Sequence, residues 1–212
     1  MIVDSIHPIL GFELNNSNSQ ELDLSEGKLK DLGIDSGDND QLSDYIFNGK
    51  VRYGGYGEQR DIYKRGSQFE ESANRREIHL GLDIWSPKGT ALFCPWNGIV
   101  KSCHNNDRFA DYGPTLIIEH NFDELKIYML LGHLGEECLT RWKTGQSIEA
   151  GDRIASVGSE DENGGWPPHV HIQLIRDLEG CFNDYPGVCT KAEWPRMRKN
   201  CPDPSSYFVP SN

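Results

Sequence analysis

The chain has 212 residues, a formal net charge of −12 and an apolar fraction of 36%, the profile of a globular protein. That length predicts one domain, with an extension, and enough chain to bury a core. The acidic balance argues against nucleic acid or an anionic membrane surface as partner, since both call for a basic patch. No apolar run approaches the ~20 residues that a transmembrane helix needs.

The first residues, Met1 to Phe12, lack a basic leader and a long apolar stretch, so no signal peptide is expected and the protein reads as cytoplasmic rather than extracellular or periplasmic. Six cysteines (Cys94, Cys103, Cys138, Cys181, Cys189 and Cys201) form no Cys-x2–4-Cys pair, so a thiolate zinc site is not expected. Reduced, mostly buried thiols are the default reading. The grouping of Cys181, Cys189 and Cys201 near the end keeps a disulfide reading open.

Residues 1–74 read as an acidic extension that docks on the core. Asp31, Asp35, Asp38, Asp40 and Asp44 lie close together, but the spacing from Asp38 lacks the glycine and glutamate of an EF-hand, so a solvated acidic loop is expected. Leu22, Leu24, Leu29, Leu32, Leu42, Tyr45, Ile46 and Phe47 supply the apolar surface for docking. The run from Arg52 to Gly57 is rich in glycine and tyrosine and reads as an aromatic turn over the core. Tyr53, Tyr56 and Arg60 are secondary candidates for lining a cleft.

From Arg75 to Trp85 the chain alternates. Ile78, Leu80, Leu82 and Ile84 share one parity, and His79, Gly81 and Asp83 the other. On a strand, successive side chains point to opposite faces, so His79 and Asp83 converge across Gly81, which leaves room for a ligand. Short strands follow over 99–103, 115–120, 125–131 and 151–158, with a hairpin at 121–124. Leu131, Gly132, His133 and Leu134 end one of them. In 166–174, His169, His171 and Gln173 share one face and Val170, Ile172 and Leu174 the other. Both imidazoles then project together from a rigid strand, which suits a metal site or proton transfer better than a core. His7, His104 and His120 have no comparable context and read as structural or solvated. The 177–212 tail, rich in proline and cysteine, reads as irregular.

His-x3-Asp, then Gly-His-Leu, then His-x-His is an informative order. Two imidazoles and one carboxylate are a common catalytic zinc set that leaves a fourth position for water. The residue pattern alone leaves open which histidines ligate and which flank the water.

Over about Arg75 to Leu174 the sequence resembles the M23 family of zinc metallopeptidases, the LytM/lysostaphin type of Gly-Gly endopeptidase. The resemblance is carried by His79 to Asp83, Ala91 to Val100, Leu131 to Leu134, Gly145 to Gly158 and Pro168 to His171. It implies an all-β fold: a mostly antiparallel sheet groove or split barrel over 75–176, with irregular extensions at both ends. It also implies that His79, Asp83 and His171 hold Zn2+, that His133 and His169 are the catalytic pair, and that a peptide or peptide-like substrate is cleaved. The loop from Glu162 to Pro168 departs from the family's usual Ser/Thr-Gly turn, and Trp166 with its prolines is expected to reshape the groove wall; Glu162 and Asn163 are secondary candidates for lining it. Two other functions are carried forward: a non-catalytic zinc-binding or regulatory module, and a zinc hydrolase acting on a non-peptide.

Overall fold

A computed structural model describes residues 6–61 and 76–210. The expected boundary at 74–75 lies outside the described residues. The fold is strand-rich and mostly antiparallel, as the sequence predicted. Its main sheet has eight strands: β1 (Ser19–Glu21), β2 (Val51–Gly54), β4 (Leu82–Trp85), β6 (Gly98–Asn106), β7 (Gly113–Phe122), β8 (Leu125–Gly132), β9 (Ser147–Ile148) and β11 (His169–Ile175). Their order is β1-β2-β4-β11-β8-β7-β6-β9. Only β1 and β2 pair in parallel among these neighbours. Two small pairs complete the set: β5 (Ala91–Phe93) with β10 (Arg153–Ser156), and β3 (Ile78–His79) with β12 (Val188–Cys189).

The alternation in β11 works as read. Val170, Ile172 and Leu174 enter the main core with Leu82, Ile84, Leu116 and Leu131. Each fully buried aliphatic side chain of this kind contributes about 1.5–3 kcal/mol, so a one-residue slip would expel the core face and bury the imidazoles in its place. The hairpin at 121–124 forms between β7 and β8, with Asp123 in the left-handed region at φ 52°. Short polar residues tolerate that conformation best after glycine.

Three expectations change. Residues 78–85 are not one strand. The chain breaks between β3 and β4, so Ile78 and Leu80 pack with Leu130, Tyr185 and Met197 while Leu82 and Ile84 join the main core. The N-terminal segment is not irregular: β1, β2, α1 (Glu26–Leu32) and α2 (Asn39–Ile46) build it, and β2 extends the main sheet beside β4. The acidic cluster has a structural role as well, because the Asp38 carboxylate caps α2 by accepting from Asp40 N and Gln41 N. Leu22, Leu24, Leu29, Leu42 and Ile46 bury as expected, whereas Leu32 and Phe47 stay exposed. The C-terminal tail likewise holds β12 and two short helices, Trp194–Asn200 and Ser205–Phe208. Both helices are too short for a periodic pattern to be legible.

All six cysteines are free thiols, four of them buried. Among the described residues no helix is long and apolar enough to cross a membrane. His104 is exposed, and His120 is a core residue.

His120 generates a prediction. Its ring packs against Trp96 at 5.4 Å, its Nδ1 donates to Asn97 O at 3.0 Å, and its Nε2 has no partner among the described residues. Burial pushes its pKa down from 6.5 to about 4. The unfolded chain therefore binds a proton that the folded chain refuses, and stability falls as pH drops through 6.5 and levels off near 4. His120→Leu removes this term. Chemical denaturation at pH 7 and pH 4.5 should show wild type losing about 2 kcal/mol more than the variant over that interval; equal losses would exclude a buried neutral His120.

Candidate active site

The register of β11 assembles the site. His171 stands opposite Asp83 of β4 on one side and Gly132 of β8 on the other, while His169 stands opposite Trp85. The residue after Gly132 is His133, held at φ 62°, with its N–H donating to Tyr112 O at 2.7 Å. A left-handed non-glycine residue costs energy and tends to mark a functional position. His79 comes from β3, fixed against Val188 of β12. The five sequence candidates thus meet at one place, and all five are buried.

His79, Asp83 and His171 converge most tightly. His79 Nε2 lies 2.9 Å from His171 Nδ1 and 3.4 Å from Asp83 Oδ1, and His171 Nδ1 lies 3.1 Å from Asp83 Oδ1. Ligands 2.0–2.1 Å from a tetrahedral centre sit about 3.3 Å apart. The three donors therefore have the mutual spacing of three corners of such a centre, and they are the one group of this kind among the described residues.

The outer nitrogens settle what the inner ones offer. His79 Nδ1 faces Gly55 O at 3.1 Å, and a carbonyl only accepts, so Nδ1 carries the proton and Nε2 a lone pair. Gln173 Nε2 donates to Pro186 O, which turns Oε1 toward His171 Nε2 at 3.0 Å. His171 then presents a lone pair at Nδ1. Two imidazole lone pairs and a carboxylate oxygen point at one another with no proton among them. A proton would serve one pair; a divalent cation serves all three, and an outward N–H to a fixed acceptor is the usual support for a metal-binding histidine. The residues fit a zinc ion.

His133 and His169 follow the same rule. His133 Nδ1 donates to Asn163 O at 2.9 Å and His169 Nδ1 to Pro167 O at 2.7 Å. Each Nε2 is left with a lone pair. His169 Nε2 lies 3.8 Å from Asp83 Oδ1, and the two rings are 4.2 Å apart at their centroids.

The electrostatics favour the neutral form of His79, His133 and His169. Burial lowers the pKa of His79 and His133 well below 6.5, with Asp83 opposing it at His79 and His169 reinforcing it at His133. Burial also lowers His169, partly offset by Asp83. For Asp83, burial raises the pKa, but His79, Arg60 and His169 outweigh it and hold the carboxyl well below the usual range.

Several supports were not assigned from sequence. Tyr112 packs its ring against His133 and His171 and donates to Tyr185 O at 3.1 Å. Nothing in its local pattern marks it. Gln173 was visible as sharing the parity of both histidines. Gly81 corrects its expected role: a Cβ there would lie 2.4 Å from His171 Cε1 and 2.8 Å from Ile172 O. The glycine makes room for the His171 ring itself. Trp166 does form part of the wall, with Leu24, Ile46, Trp85, Pro167 and Val188, around a cleft of about 400 Å³. Asn163 contributes its carbonyl, while the Glu162 carboxylate turns away to Ser159 and Glu136 N.

Residues 77–181 match the profile of Peptidase family M23. Among solved structures, the chain is similar to a mutant catalytic domain of the prophage-encoded M23 protein EnpA from Enterococcus faecalis. Identity there is 21%, over 51% of this chain and 76% of that one, with a TM-score of 0.40. It is also similar to the catalytic domain of the antimicrobial peptidase lysostaphin from Staphylococcus simulans (19% identity, 70% and 92% coverage, TM-score 0.41). A zinc-containing peptidase from Vibrio cholerae is 25% identical over 49% of this chain and 29% of its own length, with a TM-score of 0.39. No curated protein matches the chain.

Gly81→Ala should displace the His171 ring or the backbone of Ile172. Thermal melts should show a loss of about 1–3 kcal/mol, the usual cost of overpacking, and zinc competition should show weaker binding. Unchanged zinc affinity would mean that the ring does not need this space.

Proposed function

We propose that this chain, whose residues 77–181 are an M23-family peptidase domain, is a zinc-dependent hydrolase of peptide amide bonds. The observation that carries this reading is the set of inward lone pairs on His79, Asp83 and His171, with two more on His133 and His169 beside them.

His79, Asp83 and His171 would hold the ion. Zinc held there would supply Lewis acidity and lower the pKa of a bound water toward neutrality. His169, two residues from a ligand on the same strand face, takes the proton from the attacking water. His133 starts as an acceptor at Nε2, because its Nδ1–H is committed to Asn163 O. It donates to the developing oxyanion or to the leaving amine only after gaining a proton. With ring centroids 4.2 Å apart, a charge on one ring disfavours a charge on the other, so the pair carries one proton at a time and releases it to the amine. Burial favours this division: the first proton is taken reluctantly and surrendered readily. The apolar wall of the cleft excludes water from the reacting groups and favours a peptide-like occupant with apolar groups.

Metal analysis beside cleavage of a mixed peptide library separates the roles. Wild type should hold about one zinc per chain and cut a subset of peptides. His79→Ala should lose the metal. His133→Ala and His169→Ala should keep it and lose roughly 10²–10⁴-fold in rate, the usual contribution of a general acid or base. A zinc-loaded wild type that cleaves no peptide would favour the regulatory-module or non-peptide reading.

A further inference from the structure

The N-terminal segment reaches the metal centre itself. Residues 55–60 run alongside 77–79: Gly57 N donates to His79 O, His79 N to Glu58 O, and Arg60 N to Glu77 O. Gly55 makes this approach possible. At φ 103°, a Cβ there would lie 2.1 Å from Arg60 Nη2 and 2.9 Å from His79 Nδ1. The Arg60 side chain is 4% exposed. Its Nη1 donates to Asp83 Oδ2 at 2.6 Å, its Nε donates to Glu58, and its guanidinium lies 5.6 Å from the Trp85 ring centroid. Glu58 in turn accepts from Leu24 N at 2.9 Å. Arg60 and Glu58 both lie outside the segment matched to the family.

We infer that Arg60 is a positioning residue of the metal centre: it occupies Asp83 Oδ2 so that the carboxylate offers Oδ1 alone to the ion. This rests on the zinc reading above. A buried carboxylate with both oxygens available can turn, or take a cation with both. Here Oδ1 faces the two imidazoles and Oδ2 is held by a charge-assisted bond from a planar fork, itself locked by Glu58 and Trp85. The Glu58 carboxylate offsets the guanidinium charge, so the bond orients Asp83 without adding a net positive charge that would repel the cation. Orientation therefore decides the sign, and removing Arg60 weakens binding. Lysine cannot substitute, because a single ammonium lacks the fork that joins Glu58 to Asp83.

The test uses the full chain, with Zn2+ and Co2+ as probes and His79→Ala as the reference for a lost ligand. Zinc affinity is read by chelator competition, and the ligand arrangement by the visible absorption of bound Co2+, which responds to the number and geometry of ligand atoms. Arg60→Met should bind zinc 10–100-fold more weakly, the usual cost of losing an outer support, with an altered cobalt spectrum. Arg60→Lys should also show the altered spectrum, and it decides the matter if Arg60→Met does not fold. If wild type binds both ions and both variants match it in affinity and spectrum, Arg60 only packs, and the inference fails while the zinc reading stands. If wild type takes up neither ion, both fail.

Discussion

The centre depends on a mutual frustration of three acceptors. His79 Nε2, Asp83 Oδ1 and His171 Nδ1 lie 2.9–3.4 Å apart, each turned inward by a bond made on its far side. Gly55 O, Gln173 Oε1 and Arg60 create that arrangement. Left alone, three desolvated acceptors in contact destabilise the fold. The structure tolerates them because β4, β11 and β8 lock the backbone, with apolar side chains on the opposite face. The arrangement that makes these groups poor company for one another is the one that suits a cation in the proposed reading.

The same outward bonding sets the chemistry of the second pair. His133 and His169 each commit Nδ1–H to a backbone carbonyl, so neither can rotate into a donor role. Any hydrogen bond they give to a reacting group requires a proton taken from the reaction. In the hydrolysis proposed above, such a pair would cycle a proton rather than supply one, passing on the proton that the nucleophile loses and the leaving amine needs.

Much of the centre was legible because β-strand parity is a strong signal. His169 and His171 alternate with Val170 and Ile172, so pattern alone placed both rings on one face. His79 and Asp83 were paired on the same logic, although β3 and β4 are two strands and the alternation between them is interrupted. The pairing held because the break keeps both side chains on the site while dividing Ile78 from Leu82 between two clusters. What pattern could not reveal was contact across long separations. Tyr112 meets Gln173, and Arg60 meets Asp83, through turns whose sequence carries no periodicity. The N-terminal helices were missed for a different reason: each spans two turns, too short for amphipathic spacing to stand out from an acidic loop.

The strand order has a kinetic consequence. β1, β2 and β4 form one part of the sheet and β8, β7, β6 and β9 the other, and β11 joins them. It is the last of the eight in the chain. During synthesis, the edges of β4 and β8 that will flank β11 have no partner until residues 169–175 emerge, so both stay open to pairing with other chains. Insertion of β11 seals both edges and delivers His169 and His171 in the same step. The nascent protein therefore passes from edge-exposed, with the His79–Asp83–His171 cluster incomplete, to closed and assembled in one late event of high contact order.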